Sequence, residues 1–315
     1  MQNEVDEYQS NEIMSKFGYY PVKVNIETEQ FSLLTLPGLA EKVERVNNDK
    51  NVVQGWIYPR NQEVDDFNGG KSTMPYSQRV FGLPKTHMLK LKSISSPETL
   101  KFVVWCLSFF SGMRLTTTDA GFLDATPIKP AKLTDFILVG CSEKEVIELA
   151  LNYITSKQKD AHSPKRIAAV VHALFLSQNP QYLSFEKFQY LYMALDCCFA
   201  IAWDERNKGI KEKKPTHQNR LCWMCEIYGL KVPLWATDEC NISLIRNDNF
   251  HEAIFNGQPL GFSGVNDDQY GRDILLQMQA MVCRLLVAIL SVNDCTYIKS
   301  KVDSVDYHPL KINKC

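Results

Sequence analysis

From about residue 136 to residue 300, apolar residues recur at helical spacing in one segment after another, and strand signals are almost absent. A chain patterned this way buries its apolar stripes by packing helix on helix. Residues 142–156 begin with Ser142 and Glu145 in capping-box spacing. Ser163-Pro164 offers a cap followed by proline at the first helical position, with Ile167, Val170, Val171, Leu174 and Phe175 on one face. Ser184 caps a long helix to about Trp203, apolar at Phe188, Leu191, Tyr192, Leu195 and Phe199. Residues 217–228 form a further helix, Thr237 caps one that reaches Phe255 and stops at Asn256-Gly257, and residues 273–292 form the last long one. Helices joined by short connections predict a bundle.

The first half differs. Residues 19–35 are rich in aromatic and β-branched residues with partial alternation at Val22, Val24 and Ile26, and 52–58 and 87–91 have the composition of short strands. The segment 61–77, with Gly69-Gly70, Pro75 and many polar residues, is expected to be a loop. Residues 102–110 are almost continuously apolar, which fits a buried strand or a helix equally. Thr126-Pro-Ile-Lys-Pro130 has the composition of a linker. The expected class is α+β: a mixed, β-containing N-terminal domain over 1–135 with a sensing or regulatory role, an all-α domain over 136–300, and a tail at 301–315.

With 45% hydrophobic and 23% charged residues the chain can bury a sizeable core, and its formal net charge of -1 does not mark it as a nucleic-acid binder by bulk charge. The acidic start has neither the cationic nor the apolar region of a signal peptide, and the apolar runs 102–113 and 281–290 are short for a membrane span, the second being interrupted by Arg284. A cytoplasmic, soluble protein with no membrane association is expected. Several of the ten cysteines, Cys106, Cys197, Cys198 and Cys283, sit in apolar helical segments, where a free thiol acts as a small hydrophobe.

One segment breaks its own pattern. Ile242, Leu244 and Ile245 precede it and Ala253, Ile254 and Phe255 follow it, but between them stand Arg246, Asn247, Asp248, Asn249 and His251. Asn and Asp compete for the backbone in a helix interior, so such a cluster needs a reason. Asn247 and His251 are four residues apart and share a helix face, and the long Arg246 side chain, about 100° round the helix, can reach that face. A guanidinium suited to phosphate, an amide and an imidazole that exchanges protons near neutrality then stand together. Those groups match what RNA transesterification needs, which is charge stabilisation on a phosphate and acid-base transfer.

Arg246-Asn-x-x-x-His251 resembles the R-x4-6-H signature of HEPN domains, with a polar residue after the arginine. Glu252-Ala253 and the turn Gly257-Gln-Pro-Leu-Gly261 are similar to the abortive-infection, ApeA-like branch of that superfamily. The resemblance covers residues 140–300. It implies a HEPN-type helical bundle and metal-independent cleavage of RNA, tRNA or mRNA among the substrates, by a homodimeric toxin or antiphage effector that uses no cofactor. It implies that Arg246 stabilises the transition state, that His251 is the general base or acid, and that Asn247 orients His251 or the phosphate. A 2′,3′-cyclic phosphate is the implied product, and the regulatory partner or trigger is unspecified. Ala253 stands where the nucleotidylation-controlled toxins of the superfamily carry tyrosine, which argues against that form of control. The alternative within the family is a catalytically inactive domain that binds RNA or dimerises.

Three other features bear on function. Arg206, Lys208, Lys211, Lys213, Lys214 and Arg220 face a single acid, Glu212, in a connection that either tracks an RNA backbone or is a solvated loop. Its functional reading gains if it lies near the motif. Cys222-x-x-Cys225, with His217 and Cys240, provides four zinc-ligand types at non-standard spacing, and buried thiols on a core stripe explain the pair as well. Asp196 is placed on the long helix to reach His251. His87, His162, His172 and His308 have no companion groups, and Asn68-Gly-Gly-Lys-Ser72 lacks the full phosphate-loop spacing.

Overall fold

The structure, a computed structural model, describes residues 12–77, 80–92, 96–123, 125–157, 160, 162–207, 213–237, 242–247, 274–292, 295–303 and 308–312. The chain divides into two compact units, Met1–Trp105 with Arg114–Lys129, and Cys106–Met113 with Pro130–Cys315. Strands dominate the first and helices the second, a mixed α+β architecture.

The first unit is built on a four-stranded antiparallel sheet of β1 (Ile13–Phe17), β2 (Asn25–Glu27), β3 (Phe31–Thr35) and β9 (His87–Leu91), in the order β1-β9-β3-β2. β9 alternates buried and half-buried residues from His87 to Leu91, so its register is set by the period of two. His87 is fully buried, with Nδ1 3.0 Å from Thr86 Oγ1 and Nε2 3.2 Å from Thr35 Oγ1. It packs between the rings of Phe17 and Tyr20, a satisfied core histidine. Helix α1 (Leu39–Asn47) and a small sheet of β4 (Val52–Val53), β5 (Trp56–Ile57) and β11 (Thr126–Pro127) complete the unit with β8 (Val80–Phe81) and β10 (Phe122–Leu123). The expected linker at 126–130 therefore begins as a strand on β5.

The segment 61–77 is a hairpin and not a loop. β6 (Asn61–Asp65) pairs antiparallel with β7 (Lys71–Ser77). The turn forms because the Asp66 carboxylate accepts the N–H groups of Asn68 (2.8 Å) and Gly70 (2.9 Å). β6 and residues 71–74 of β7 are mostly exposed and polar, so no apolar alternation announces them. The Gly-Gly-Lys-Ser run is this turn and the start of β7. Residues 102–110 resolve the other ambiguity as helix, within α2 (Pro97–Ser111).

In the second unit, α4 (His162–Leu176), α5 (Ser184–Arg206), α6 (Arg220–Tyr228) and α8 (Ile274–Ile289) pack together, with α5 against both α4 and α8, while α3 (Glu143–Ser156) meets α5 where the Tyr153 hydroxyl donates to Glu205. The predicted stripes are buried: Ile167, Val170, Val171, Leu174 and Phe175 on α4, and Phe188, Leu191, Tyr192, Leu195 and Phe199 on α5. The cap residue of α5 is Leu183 and not Ser184, with the Glu186 carboxylate accepting Leu183 N–H. α8 is buried almost all round, as the central member of a bundle must be. The short helices α7 (Ile242–Asn247) and α9 (Cys295–Lys299) and two 3₁₀ turns, His217–Asn219 and Leu234–Ala236, complete the described helices. The unit is not purely α-helical: β12 (Phe136–Leu138) pairs in parallel with β13 (His308–Leu310), so the tail contributes a strand that its short, proline-containing sequence does not signal. No helix among the described residues is long and apolar enough to cross a membrane.

The caps follow local chemistry. Ser142 Oγ accepts Lys144 N–H and the Glu145 carboxylate accepts Ser142 N–H at 2.8 Å, a complete capping box. Replacing Ser142 by Ala is expected to cost about 1 kcal/mol, read as a small fall in the thermal unfolding midpoint. At α4 the cap is Asp160, whose carboxylate accepts His162 N–H at 2.9 Å and Ser163 Oγ–H at 2.6 Å, and not Ser163 itself. Gly229, at φ 66°, terminates α6 in the left-handed conformation that costs other residues most.

Candidate phosphate and nucleotide site

Arg246 and Asn247 end α7, whose first residues Ile242 and Ser243 are buried. Arg246 is half-buried and Asn247 exposed. The Arg246 guanidinium donates to Asn247 Oδ1 at 3.0 Å and lies 5.9 Å from the ring centre of Tyr192 on α5. Asn247 thus accepts a hydrogen bond from the arginine beside it. His251 and the rest of the expected helix to Phe255 lie outside the described residues.

Arg246 lines a cavity of about 380 Å³ with Glu186, Gln189, Tyr190, Tyr192, Met193 and Asp196, all on α5. Tyr192 and Asp196 also line a much smaller cavity with His217, Arg220 and Ser243, so one ridge of α5 borders both. Burial, aided by the Asp196 carboxylate, pushes the Tyr192 hydroxyl up to about 12, which keeps it protonated at neutral pH.

Asp196 does not stand alone. Its Oδ1 accepts from Arg220 Nη1 at 2.8 Å, and the same Nη1 lies 2.9 Å from His217 Nδ1. A guanidinium can only donate, so His217 accepts at Nδ1 and its proton resides on Nε2 when the ring is neutral. The Arg220 guanidinium also lies 4.7 Å from the Phe199 ring centre, with Lys214 Nζ at 5.5 Å. Sequence reasoning paired Asp196 with His251 and gave His217 to a zinc site. The fold gathers Asp196, Arg220 and His217, with Arg246 and Lys214 near enough to act on the imidazole's charge, while His251 lies outside the described residues. Of the basic connection, Lys213 and Lys214 are exposed, Arg220 is half-buried, and Lys208 and Lys211 lie outside the described residues.

Partial burial first, and then the cations Arg220, Arg246 and Lys214, hold the His217 imidazolium below its ordinary range, with Asp196 opposing them. The unfolded chain then binds more protons than the native one just below the unfolded value of about 6.5. His217 therefore lowers stability as pH falls through that value, by an amount its exposure keeps small. NMR titration is expected to place its midpoint below that of a model histidine. Arg220→Ala is expected to raise the midpoint and Asp196→Asn to lower it further. Equal midpoints in all three proteins would remove the electrostatic link.

The zinc set does not assemble among the described residues, where no group of three potential ligands occurs. Cys222 Sγ donates to Ala236 O and Cys225 Sγ lies 3.9 Å from Lys231 O. Burial pushes the Cys225 thiol up to about 12, away from the thiolate a metal needs. Cys240 lies outside the described residues. Cys106, Cys197, Cys198 and Cys283 are free thiols on helices of the fold.

What sequence reasoning missed is the cavity wall. Glu186, Gln189, Tyr190 and Met193 fall at i, i+3, i+4 and i+7 on the face of α5 that carries no core residues. Their signal is two kinds of residue, aromatic and thioether, where a solvated face normally carries charges. Comparison of the chain with protein-family models, with curated proteins and with solved structures gave no match.

Proposed function

We propose that the chain is an RNA endonuclease of the HEPN type, acting through Arg246 and His251. The observation that carries this reading is the position of Arg246: a guanidinium on the wall of a cavity lined by tyrosines, beside the basic group of Arg220, His217 and Lys214. Arginine and aromatic rings together are what single-stranded RNA requires, one for phosphate and the other for bases.

In this reading Arg246 binds a non-bridging phosphate oxygen and stabilises the charge that grows there. His251 takes the proton of the 2′-hydroxyl, the 2′-oxygen forms a bond to phosphorus, and the bond from phosphorus to the 5′-oxygen breaks. The departing oxygen is reprotonated, leaving a 2′,3′-cyclic phosphate. The proposal includes a HEPN-type bundle in the second unit, a homodimer that completes the site, and a first unit that senses a trigger or restrains the nuclease. A role as toxin or antiphage effector follows from the same resemblance.

The test is incubation of purified protein with total RNA and with tRNA in EDTA, beside Arg246→Ala and His251→Ala. Cleavage by the wild type alone, leaving cyclic-phosphate ends, is the expected result. Cleavage unchanged in both variants overturns the site. RNA retained on the protein but never cut identifies an inactive binding module.

A further inference from the structure

The cavity beside Arg246 has a composition that narrows its ligand. Tyr190 stacks on Tyr182 with ring centres 5.7 Å apart and planes 17° from parallel. A third flat ring adds naturally to such a stack. Met193, 51% exposed, contributes a polarisable thioether to the same wall. Around these stand Gln189, with amide donors and an acceptor, the Glu186 carboxylate and the Arg246 guanidinium. The volume of about 380 Å³ lies in the range of small-molecule sites and exceeds what one planar base needs. An aliphatic ligand would bury the amide, the carboxylate and the guanidinium without partners. A bare sugar would leave the rings without a flat partner.

The cavity also distinguishes among bases. Glu186 Oε2 accepts Leu183 N–H at 2.8 Å at the start of α5, and its remaining lone pairs can only accept. Guanine presents N1–H and the exocyclic amine side by side as donors. Adenine presents the N1 lone pair at the corresponding place, which a carboxylate repels.

We propose that this cavity is a nucleotide subsite that takes one purine base on Tyr190, guanine ahead of adenine, with Glu186 reading its edge and Arg246 holding the attached phosphate. Its position next to the scissile bond rests on the endonuclease reading, whereas binding of the nucleotide itself does not.

The experiment is calorimetric titration of the full-length protein with GMP, AMP and UMP, and the same titrations on four variants whose fold is checked by circular dichroism. GMP is expected to bind most tightly. Tyr190→Phe keeps that affinity, and Tyr190→Leu, which preserves bulk but not the aromatic face, weakens it roughly tenfold. Glu186→Gln, which retains an acceptor for Leu183, removes the preference for GMP over AMP. Arg246→Ala weakens all three nucleotides alike. No GMP binding at millimolar concentration, or equal GMP affinity in wild type and Tyr190→Leu, overturns the subsite. The two readings separate cleanly. GMP binding with this pattern upholds the subsite whether or not RNA is cut. Arg246-dependent cleavage with GMP binding indifferent to Tyr190 keeps the nuclease and removes the subsite.

Discussion

Asp135→Ala is expected to destabilise the second unit by about 3–5 kcal/mol, the largest effect of any single substitution considered. Arg284 is 1% exposed and interrupts the otherwise apolar run 280–289 of α8. Its Nη1 donates to Asp135 Oδ2 at 2.5 Å and to Ala280 O at 2.9 Å, and its Nη2 donates to Ser300 Oγ at 2.8 Å and to Lys301 O at 3.2 Å. The Tyr297 hydroxyl donates to the other carboxylate oxygen at 2.5 Å, and its ring centre lies 4.8 Å from the guanidinium carbon. Burial and the adjacent carboxylate both push the Tyr297 hydroxyl upward, so it remains a donor. Removing the carboxylate leaves a cation in a dry core with carbonyls and a hydroxyl but no counter-charge. A fall of about 10 °C or more in the unfolding midpoint should follow for a unit of this size. The double variant Asp135→Ala with Arg284→Met removes both charges and should recover much of the loss. A single variant as stable as wild type would show that the pair contributes nothing net.

Arg246→Ala is expected to lower the rate of RNA cleavage by roughly 10²–10³-fold, the usual effect of deleting a donor aimed at charge that grows in the transition state. The fold should hardly notice. Arg246 is half-buried at the end of a short helix, and its hydrogen bond to Asn247 is local. A stability change within about 0.5 kcal/mol is the expectation for such a position. Arg246→Lys should restore only part of the rate, because an ammonium is a point charge and cannot make the paired contacts of a guanidinium. Measured under single-turnover conditions, full activity in Arg246→Ala would exclude the arginine from the chemistry.

The long helices of the second unit are legible in the sequence because each has its own apolar period, and α3 has its own cap as well. Ser142 and Glu145 announce a capping box that the structure contains, and the stripes on α4 and α5 are buried as spaced. β9 is legible for the matching reason, alternation over five residues. The hairpin of β6 and β7 is not, since the mostly exposed, polar residues of β6 and 71–74 carry no period. Nor is the pairing of β12 with β13, two short segments about 170 residues apart that only tertiary packing can introduce.

At the candidate site the division is similar. The sequence alone marks Arg246, Asn247 and His251 as a conflict with helix propensity, because that conflict is local. It also marks Arg284 as a charge out of place in an apolar run. It cannot show what answers either one. Asp135 meets Arg284 across 149 residues, and Asp196 meets Arg220 and His217 because α5 and α6 pack side by side. Likewise Tyr190 and Met193 read as ordinary members of a long helix until Arg246 is placed across from them. Periodicity determines which face of a helix turns inward, since burial of apolar area depends only on that face. Which polar groups meet on the remaining faces depends on how the helices are set against one another, and that is decided by the tertiary structure.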